Sequence, residues 1–138
     1  MKIWLAFFAA VFFAMPAHAG SSVRYALIVA NDHGVAPPGV VLADLEHAER
    51  EALVIRNRLV RLANFDDSAD RVVVLRGKTR AEILAAAKAL AEQHRDDRAV
   101  LGDVSTLFAF FFTGHGLEGK LLTRDAPLTP TWPRSSRT

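Results

Sequence analysis

The sequence predicts an α/β protein built around a small parallel sheet. Three apolar runs, at residues 24–30, 71–75 and 106–112, are continuous rather than alternating, which is typical of strands buried on both faces. Two segments with helical spacing of apolar residues separate these runs, so the order of elements is βαβαβ. Helical connections of this length favour right-handed crossovers between parallel strands, in the usual sheet order 2-1-3.

The first strand and the first helix differ in the spacing of their apolar residues. Arg24–Ala30 is one apolar run, and the turn residues Asn31-Asp32-His33-Gly34 end it. From Ala43 to Leu62 apolar residues recur at steps of three and four, which predicts a helix with one buried face. The residues of that face are Leu45, Ala48, Ala52, Ile55, Leu59 and Leu62.

The second strand and the second helix carry clear local signals. Arg71–Leu75 is rich in β-branched residues, as strands are. Thr79 and Glu82 have the spacing of a capping box and predict the start of a helix. Its buried face consists of Ile83, Ala86, Ala87 and Leu90. We expect the charged run Arg95–Arg98 to close this helix in solvent, before the third strand at Thr106–Phe112.

The two ends of the chain are expected to lie outside the folded domain. Met1-Lys2, the apolar run Ile3–Met15 and the Ala17-His18-Ala19 cleavage pattern predict a signal peptide at residues 1–19. The apolar run is shorter than the roughly 18–20 residues that span a bilayer. We therefore expect export to the periplasm or the medium of a bacterium, with no membrane contact after signal cleavage. Residues 20–122 would form one domain, and residues 123–138, rich in Pro, Ser and Thr, a disordered tail.

Composition argues against several classes of function. The 138 residues contain 17 Lys and Arg against 15 Asp and Glu, without a basic stripe, so we expect no nucleic-acid binding. The chain has no cysteine, so it has neither disulfides nor a thiolate metal site, and its histidines lack short ligand spacings. Gly114–Gly119 matches G-x-G-x-x-G, but it follows the third strand, whereas a dinucleotide site uses the first strand–helix turn. We predict no metal and no cofactor.

The segment Thr113-Gly114-His115-Gly116 is the strongest functional signal. His115 directly follows a strand end, the edge of an open α/β sheet at which ligands bind. Imidazole exchanges protons near neutral pH, and flanking glycines allow a substrate backbone to come close. Asp32 and His33 follow the first strand and share this edge, so they are predicted to bind substrate near His115; the alternative is a plain turn.

Several segments resemble caspase-like cysteine peptidases, peptidase family C14. Arg24–Asn31 is similar to the first strand of that family, and the helix after it to the first helix. Phe65, the strand Val72–Leu75 and the helix start Thr79-Arg80-x-x-Ile83 follow in the order of the family. Phe110–Gly116 resembles the histidine motif, which is usually aromatic-Ser-Gly-His-Gly. The resemblance covers residues 23–119.

The resemblance implies a three-layer, caspase-like α/β domain at residues 20–122, with a parallel sheet of flavodoxin-like order. It implies that His115 is the histidine of a Cys–His dyad, and that the backbone N–H of Gly116 belongs to the oxyanion hole. The implied activity is hydrolysis of a bond in a peptide or protein substrate, without a cofactor.

The chain departs from the family pattern after its third strand. The family places its cysteine after a fourth strand, about 50 residues beyond the histidine. This chain has no cysteine, and nothing would position Ser135 or Ser136 in its place. We therefore expect an incomplete sheet and an inactive histidine half-site, with the strand and the cysteine supplied by another segment.

Three interpretations of this departure remain open. The chain is the N-terminal part of such a peptidase cut short by a frameshift or gene-model error, a non-catalytic protein-binding domain of the same fold, or an unrelated α/β binding domain.

Overall fold

The computed structural model describes residues 22–129, and their main elements follow the predicted order βαβαβ. The elements are β1 (Ser22–Ala30), α1 (Ala48–Leu62), β2 (Val72–Arg76), α2 (Arg80–Leu101), β3 (Ser105–Thr113), β4 (Gly116–Leu117), β5 (Lys120–Leu122) and β6 (Pro127–Leu128). The three predicted strands are confirmed, with ends that differ by one or two residues. The predicted signal peptide and residues 130–138 lie outside the described residues.

The main sheet has the predicted order, with β1 at its centre. Its strands lie in the order β2-β1-β3, and both neighbours of β1 run parallel to it. Ala26 faces Val72 on one side, and Tyr25 faces Phe108 on the other. β1 is buried from Tyr25 to Ala30, which is why its sequence is a continuous apolar run.

The helices cover opposite faces of this sheet, so the domain has three layers. On one face, Tyr25, Leu27 and Val29 pack with Ile83 and Leu90 of α2. On the other face, the alternate residues of β1 pack against α1; the buried members of this cluster are Ala26, Ile28, Ala30, Ala52, Phe65 and Val72. The three-layer α/β class predicted from the sequence is confirmed.

α1 begins at Ala48, five residues later than the sequence predicted. The backbone before it is bonded elsewhere: Leu45 N donates to the carbonyl of Asp32 at 2.9 Å, and the carbonyl of Ala43 also has a partner outside the helix. At the other end, Leu62 is 81% exposed, although the apolar stripe placed it on the buried face. Ala63, the residue after the helix, packs there instead.

The predicted capping box at the start of α2 is present. The Thr79 hydroxyl accepts from Glu82 N at 3.3 Å, and the Glu82 carboxylate accepts from Thr79 N at 2.9 Å. Hydrogen bonds to its carboxylate lower the pKa of Glu82 to about 2. The bond from the Thr79 backbone has the largest effect, followed by the bonds from the side chains of Lys78 and Thr79. We predicted that the helix would end at the charged run Arg95–Arg98. Instead it continues to Leu101.

Asp97, within that charged run, is mostly buried, and its carboxylate accepts hydrogen bonds from three side chains. Tyr25 OH donates to Asp97 Oδ2 at 2.5 Å, and Arg71 Nε reaches the same oxygen at 3.2 Å. Gln93 Nε2 donates to the other oxygen at 3.0 Å. These hydrogen bonds lower the pKa of Asp97, and the bond from Tyr25 has the largest effect. His94 packs edge-on against Tyr25 and Phe108.

The chain after residue 122 is ordered up to Thr129, which corrects the predicted tail boundary. β4, β5 and β6 form a small antiparallel sheet, and Leu122 and Thr123 are fully buried. The Asp125 carboxylate accepts from Arg80 N at 2.7 Å and so caps α2. Strands of two or three residues are too short to give a periodic sequence signal, which is why this sheet was not predicted.

Candidate functional site

The carboxyl ends of β1, β2 and β3 are joined by the fully buried Asn31. Its backbone N donates to the carbonyl of Thr113 at 3.0 Å, and its side-chain Oδ1 accepts from Lys78 N at 2.9 Å. One residue after β1 therefore fixes the chain after β2 and the end of β3. The sequence placed Asn31 in a turn but gave no sign of this role.

His115 lies at this edge, and its ring orientation is set by a backbone carbonyl. Nε2 of His115 is 2.8 Å from the carbonyl oxygen of Ala43. A carbonyl oxygen only accepts hydrogen bonds, so Nε2 carries the proton and, in the neutral ring, Nδ1 is the free base. Ala43 was not predicted, because a contact through a main-chain carbonyl leaves no signature in the side-chain sequence.

Gly116 opens the hairpin β4–β5, and the ladder determines where its amide points. Leu122 N donates to the carbonyl of His115 at 2.9 Å, so these two residues form a hydrogen-bonded pair. Hydrogen-bonded and non-hydrogen-bonded pairs alternate in antiparallel ladders. The next pair, Gly116 with Leu121, is therefore the non-bonded kind, and the N–H of Gly116 points away from β5.

Gly114 and Gly34 allow the loops around His115 to pack closely. A Cβ on Gly114 would lie 3.1 Å from the carbonyl oxygen of Asn31 and 3.0 Å from the Phe112 ring. A Cβ on Gly34 would lie 3.0 Å from Cβ of Leu122 and 3.7 Å from Cβ of His115. The loop after β1 thus comes against His115, as its position on the same edge predicted.

Asp32 and His33 share the edge with His115, but their side chains bond to other groups. Asp32 Oδ1 accepts from Glu49 N at 3.2 Å and so caps α1 from outside the helix. His33 Nδ1 lies 2.7 Å from Asp44 Oδ1, with both side chains exposed. The hydrogen bond to Asp44 raises the pKa of His33. Their role in substrate binding stays a prediction.

A cavity of about 470 Å³ opens at the same edge, towards β2. It is lined by His33, Glu49, Gly77 and Arg124, so it presents groups of both charges. Arg124 comes from the segment predicted to be disordered. This arrangement offers donors and acceptors to polar groups of a bound ligand.

Between residues 22 and 129, His, Asp and Glu side chains form no group of three or more that could hold a metal ion. No helix in the same range has the length and apolar character needed to cross a membrane.

These features define an α/β domain whose histidine follows the third strand of a parallel sheet. The family model for the caspase domain, peptidase C14, matches residues 23–132 of the chain. The chain therefore belongs to the caspase-domain family, and the resemblance seen in the sequence is confirmed. The match extends beyond residue 122 and includes the small sheet β4–β6. No curated protein and no solved structure gives a significant match.

Proposed function

We propose that this chain carries the histidine half of a caspase-like cysteine endopeptidase site. In this proposal His115 is the histidine of the Cys–His dyad and Gly116 N–H is an oxyanion donor. The main support is the bond between Nε2 of His115 and the Ala43 carbonyl, because it leaves Nδ1 free as a base. The outward direction of the Gly116 amide supports the second role.

The proposed chemistry assigns one step to each group. Nδ1 of His115 takes the thiol proton, and the thiolate sulfur bonds to the substrate carbonyl carbon. Gly116 N–H donates to the oxygen as it becomes negative. When the C–N bond breaks, the imidazolium gives its proton to the leaving amine. Water then loses a proton to His115 and attacks the acyl group, which releases the acid and the thiol.

The nucleophile of this scheme must come from outside the 138 residues, because they contain no cysteine. We propose that another segment supplies a fourth strand and the cysteine, either in the same polypeptide or in a partner. The ligand is a peptide or protein substrate, and the scheme uses no cofactor.

We expect the 138-residue chain to release no product from a broad library of peptide substrates. A base and an oxyanion donor do not form an acyl-enzyme without a nucleophile. The measurement is peptide hydrolysis by the purified chain, with His115→Ala as the matched control. Turnover by the wild-type chain that disappears in His115→Ala would show that a different nucleophile operates here.

A second candidate is peptide binding without cleavage by a caspase-like domain. The same absence of cysteine favours it, together with the cavity lined by His33, Glu49 and Arg124 and the outward amide of Gly116. The two candidates differ in what added sequence does. A segment that supplies the strand and the cysteine restores His115-dependent hydrolysis in the first case, whereas in the second it leaves peptides bound and intact.

We also propose that the protein is exported to the periplasm or the medium and that its signal peptide is removed after Ala19. The small residues Ala17 and Ala19 flank His18 behind a short apolar run, which is the pattern that signal peptidases cut. The intact mass of protein from the envelope or medium of an expressing bacterium should correspond to a chain that begins at Gly20. A cytoplasmic protein that retains residues 1–19 would refute export.

A further inference from the structure

The loop between β1 and α1 is closed at its base by two adjacent contacts. Leu45 N donates to the carbonyl of Asp32 at 2.9 Å. One residue earlier in the chain, Asp44 Oδ1 lies 2.7 Å from His33 Nδ1. A backbone hydrogen bond and a side-chain contact therefore tie residues 44–45 to the chain that leaves β1.

Ala43 directly precedes this closure and carries the carbonyl that contacts the His115 ring. Ala43 is itself exposed, so packing of its own side chain does not fix its place. The loop before it gives little support, because residues 38–41 are exposed and Val41 is 96% exposed. The position of the Ala43 carbonyl therefore depends on the closure at residues 44–45.

Two contacts are needed at the closure because one leaves a rotation open. The Leu45 bond holds the peptide unit between residues 44 and 45, but the Cα–C bond of Asp44 can still turn. That rotation swings the side chain and the backbone nitrogen of Asp44 together. The Ala43 carbonyl shares a planar peptide unit with this nitrogen, so it would move too. By holding the Asp44 side chain, His33 opposes the rotation.

The charges around His33 favour this contact. A carboxylate only accepts hydrogen bonds, so His33 Nδ1 donates to Asp44. The bond to Asp44 is the largest cause of the raised pKa of His33. The negative charges of Asp32 and Glu49 act in the same direction. Arg124, which lines the cavity beside His33, carries the opposite charge. A charge-assisted bond of this kind is stronger than one between neutral groups.

We propose that His33 and Asp44 are positioning residues, which hold the Ala43 carbonyl against the His115 ring. This inference rests on the proposed role of His115 as a base, and it is separate from the predicted contact of His33 with substrate. The two residues act through Ala43 and not on the reacting atoms. Without them the carbonyl would move with the exposed loop, and the ring would no longer direct its free nitrogen to one point.

The test follows the proton on Nε2 of His115 by NMR, in the 138-residue chain with isotopically labelled histidine. The signal is assigned by its absence in His115→Ala. In the wild-type chain this proton is expected to exchange slowly with water, because it is bonded to the Ala43 carbonyl. We expect Asp44→Ala and His33→Ala each to speed this exchange at least about tenfold, because the contact opens more often.

Three further variants separate a positioning role from a general effect on the loop. Asp44→Asn keeps an acceptor at the same place and should exchange more slowly than Asp44→Ala. His33→Ala combined with Asp44→Ala should have no more effect than either substitution alone, because both remove one contact. Glu46→Ala is the matched control, because it removes an exposed carboxylate two residues after Asp44 and should leave the exchange unchanged.

Urea denaturation of each variant shows whether the fold is intact. We expect wild-type stability, because exposed ion pairs add little to it. If Asp44→Ala does not fold, Asp44→Asn and His33→Ala supply the comparison.

Three results would overturn the proposal. They are a fast-exchanging ring proton in the wild-type chain, wild-type exchange in both His33→Ala and Asp44→Ala, and an equal acceleration in Glu46→Ala. Additive effects in the double variant would also contradict it, because the two residues would then act separately. The measurement needs neither a cysteine nor a substrate. A completed chain that hydrolyses no peptide would therefore refute the proposed function and leave this result in place.

Discussion

Replacing Asp97 with alanine is expected to lower the free energy of unfolding by about 2–4 kcal/mol. The Asp97 side chain is only 12% exposed, and it accepts hydrogen bonds from Tyr25, Arg71 and Gln93. Its removal leaves the buried Tyr25 hydroxyl without its acceptor, and among residues 22–129 it leaves the Arg71 guanidinium with the exposed Asp66. The loss is measured by urea denaturation of the wild-type and variant chains.

Asp96 provides a matched control on the same turn of α2. It is an exposed aspartate beside Asp97, and its replacement with alanine is expected to change the unfolding free energy by less than about 0.5 kcal/mol. If Asp97→Ala lowered the unfolding free energy as little as Asp96→Ala, the cluster around Asp97 would not stabilise the fold.

The Asp97 substitution should also change the response of stability to acid. The folded-state pKa of Asp97 is lowered, so its contribution is complete above its unfolded value of about 3.9. The contribution is lost as the pH falls through the folded-state pKa. We expect Asp97→Asn to lose less stability than the wild-type chain as the pH falls below about 5. A parallel decline of stability in both proteins would contradict a lowered pKa for Asp97.

Leu122→Ala is expected to destabilise the domain by about 2–5 kcal/mol, because it empties a fully buried site. Leu122 packs against the loop after β1, where Cβ of a residue at Gly34 would be 3.0 Å away. Leu121, its neighbour in β5, is only partly buried, and Leu121→Ala should cost less than half as much. Thermal and urea unfolding of both variants measure this difference. A Leu122→Ala protein as stable as wild type would show that the small sheet β4–β6 is dispensable.

The sequence predicted the fold well where many residues act together. β1 and β3 are long enough for a continuous apolar run to mark them, and the capping box at Thr79 located the start of α2 to the residue. Prediction was poorer where one backbone contact decides the outcome. α1 starts late because Leu45 bonds to Asp32, and nothing in the apolar stripe indicates that bond.

The candidate site was predicted in part. The glycine-flanked position of His115 at a strand end was visible in the sequence, and topology placed Asp32 and His33 on the same edge. The Ala43 carbonyl was not visible, because any residue at that position presents the same group. Asp97 was misassigned as solvated because a charged run resembles a helix end, whereas its partners lie 26 and 72 residues away in the chain.

The bonds that orient His115 have a consequence for folding during synthesis. Ala43, whose carbonyl is hydrogen-bonded to the His115 ring, is translated well before His115, so this partner is outside the ribosome when His115 emerges. The bond from Leu122 N to the carbonyl of His115 forms later, because Leu122 follows His115 in the chain. The ring of His115 can therefore be oriented as soon as it leaves the ribosome, and in the proposed site a nucleophile that arrives later would meet an imidazole already in place.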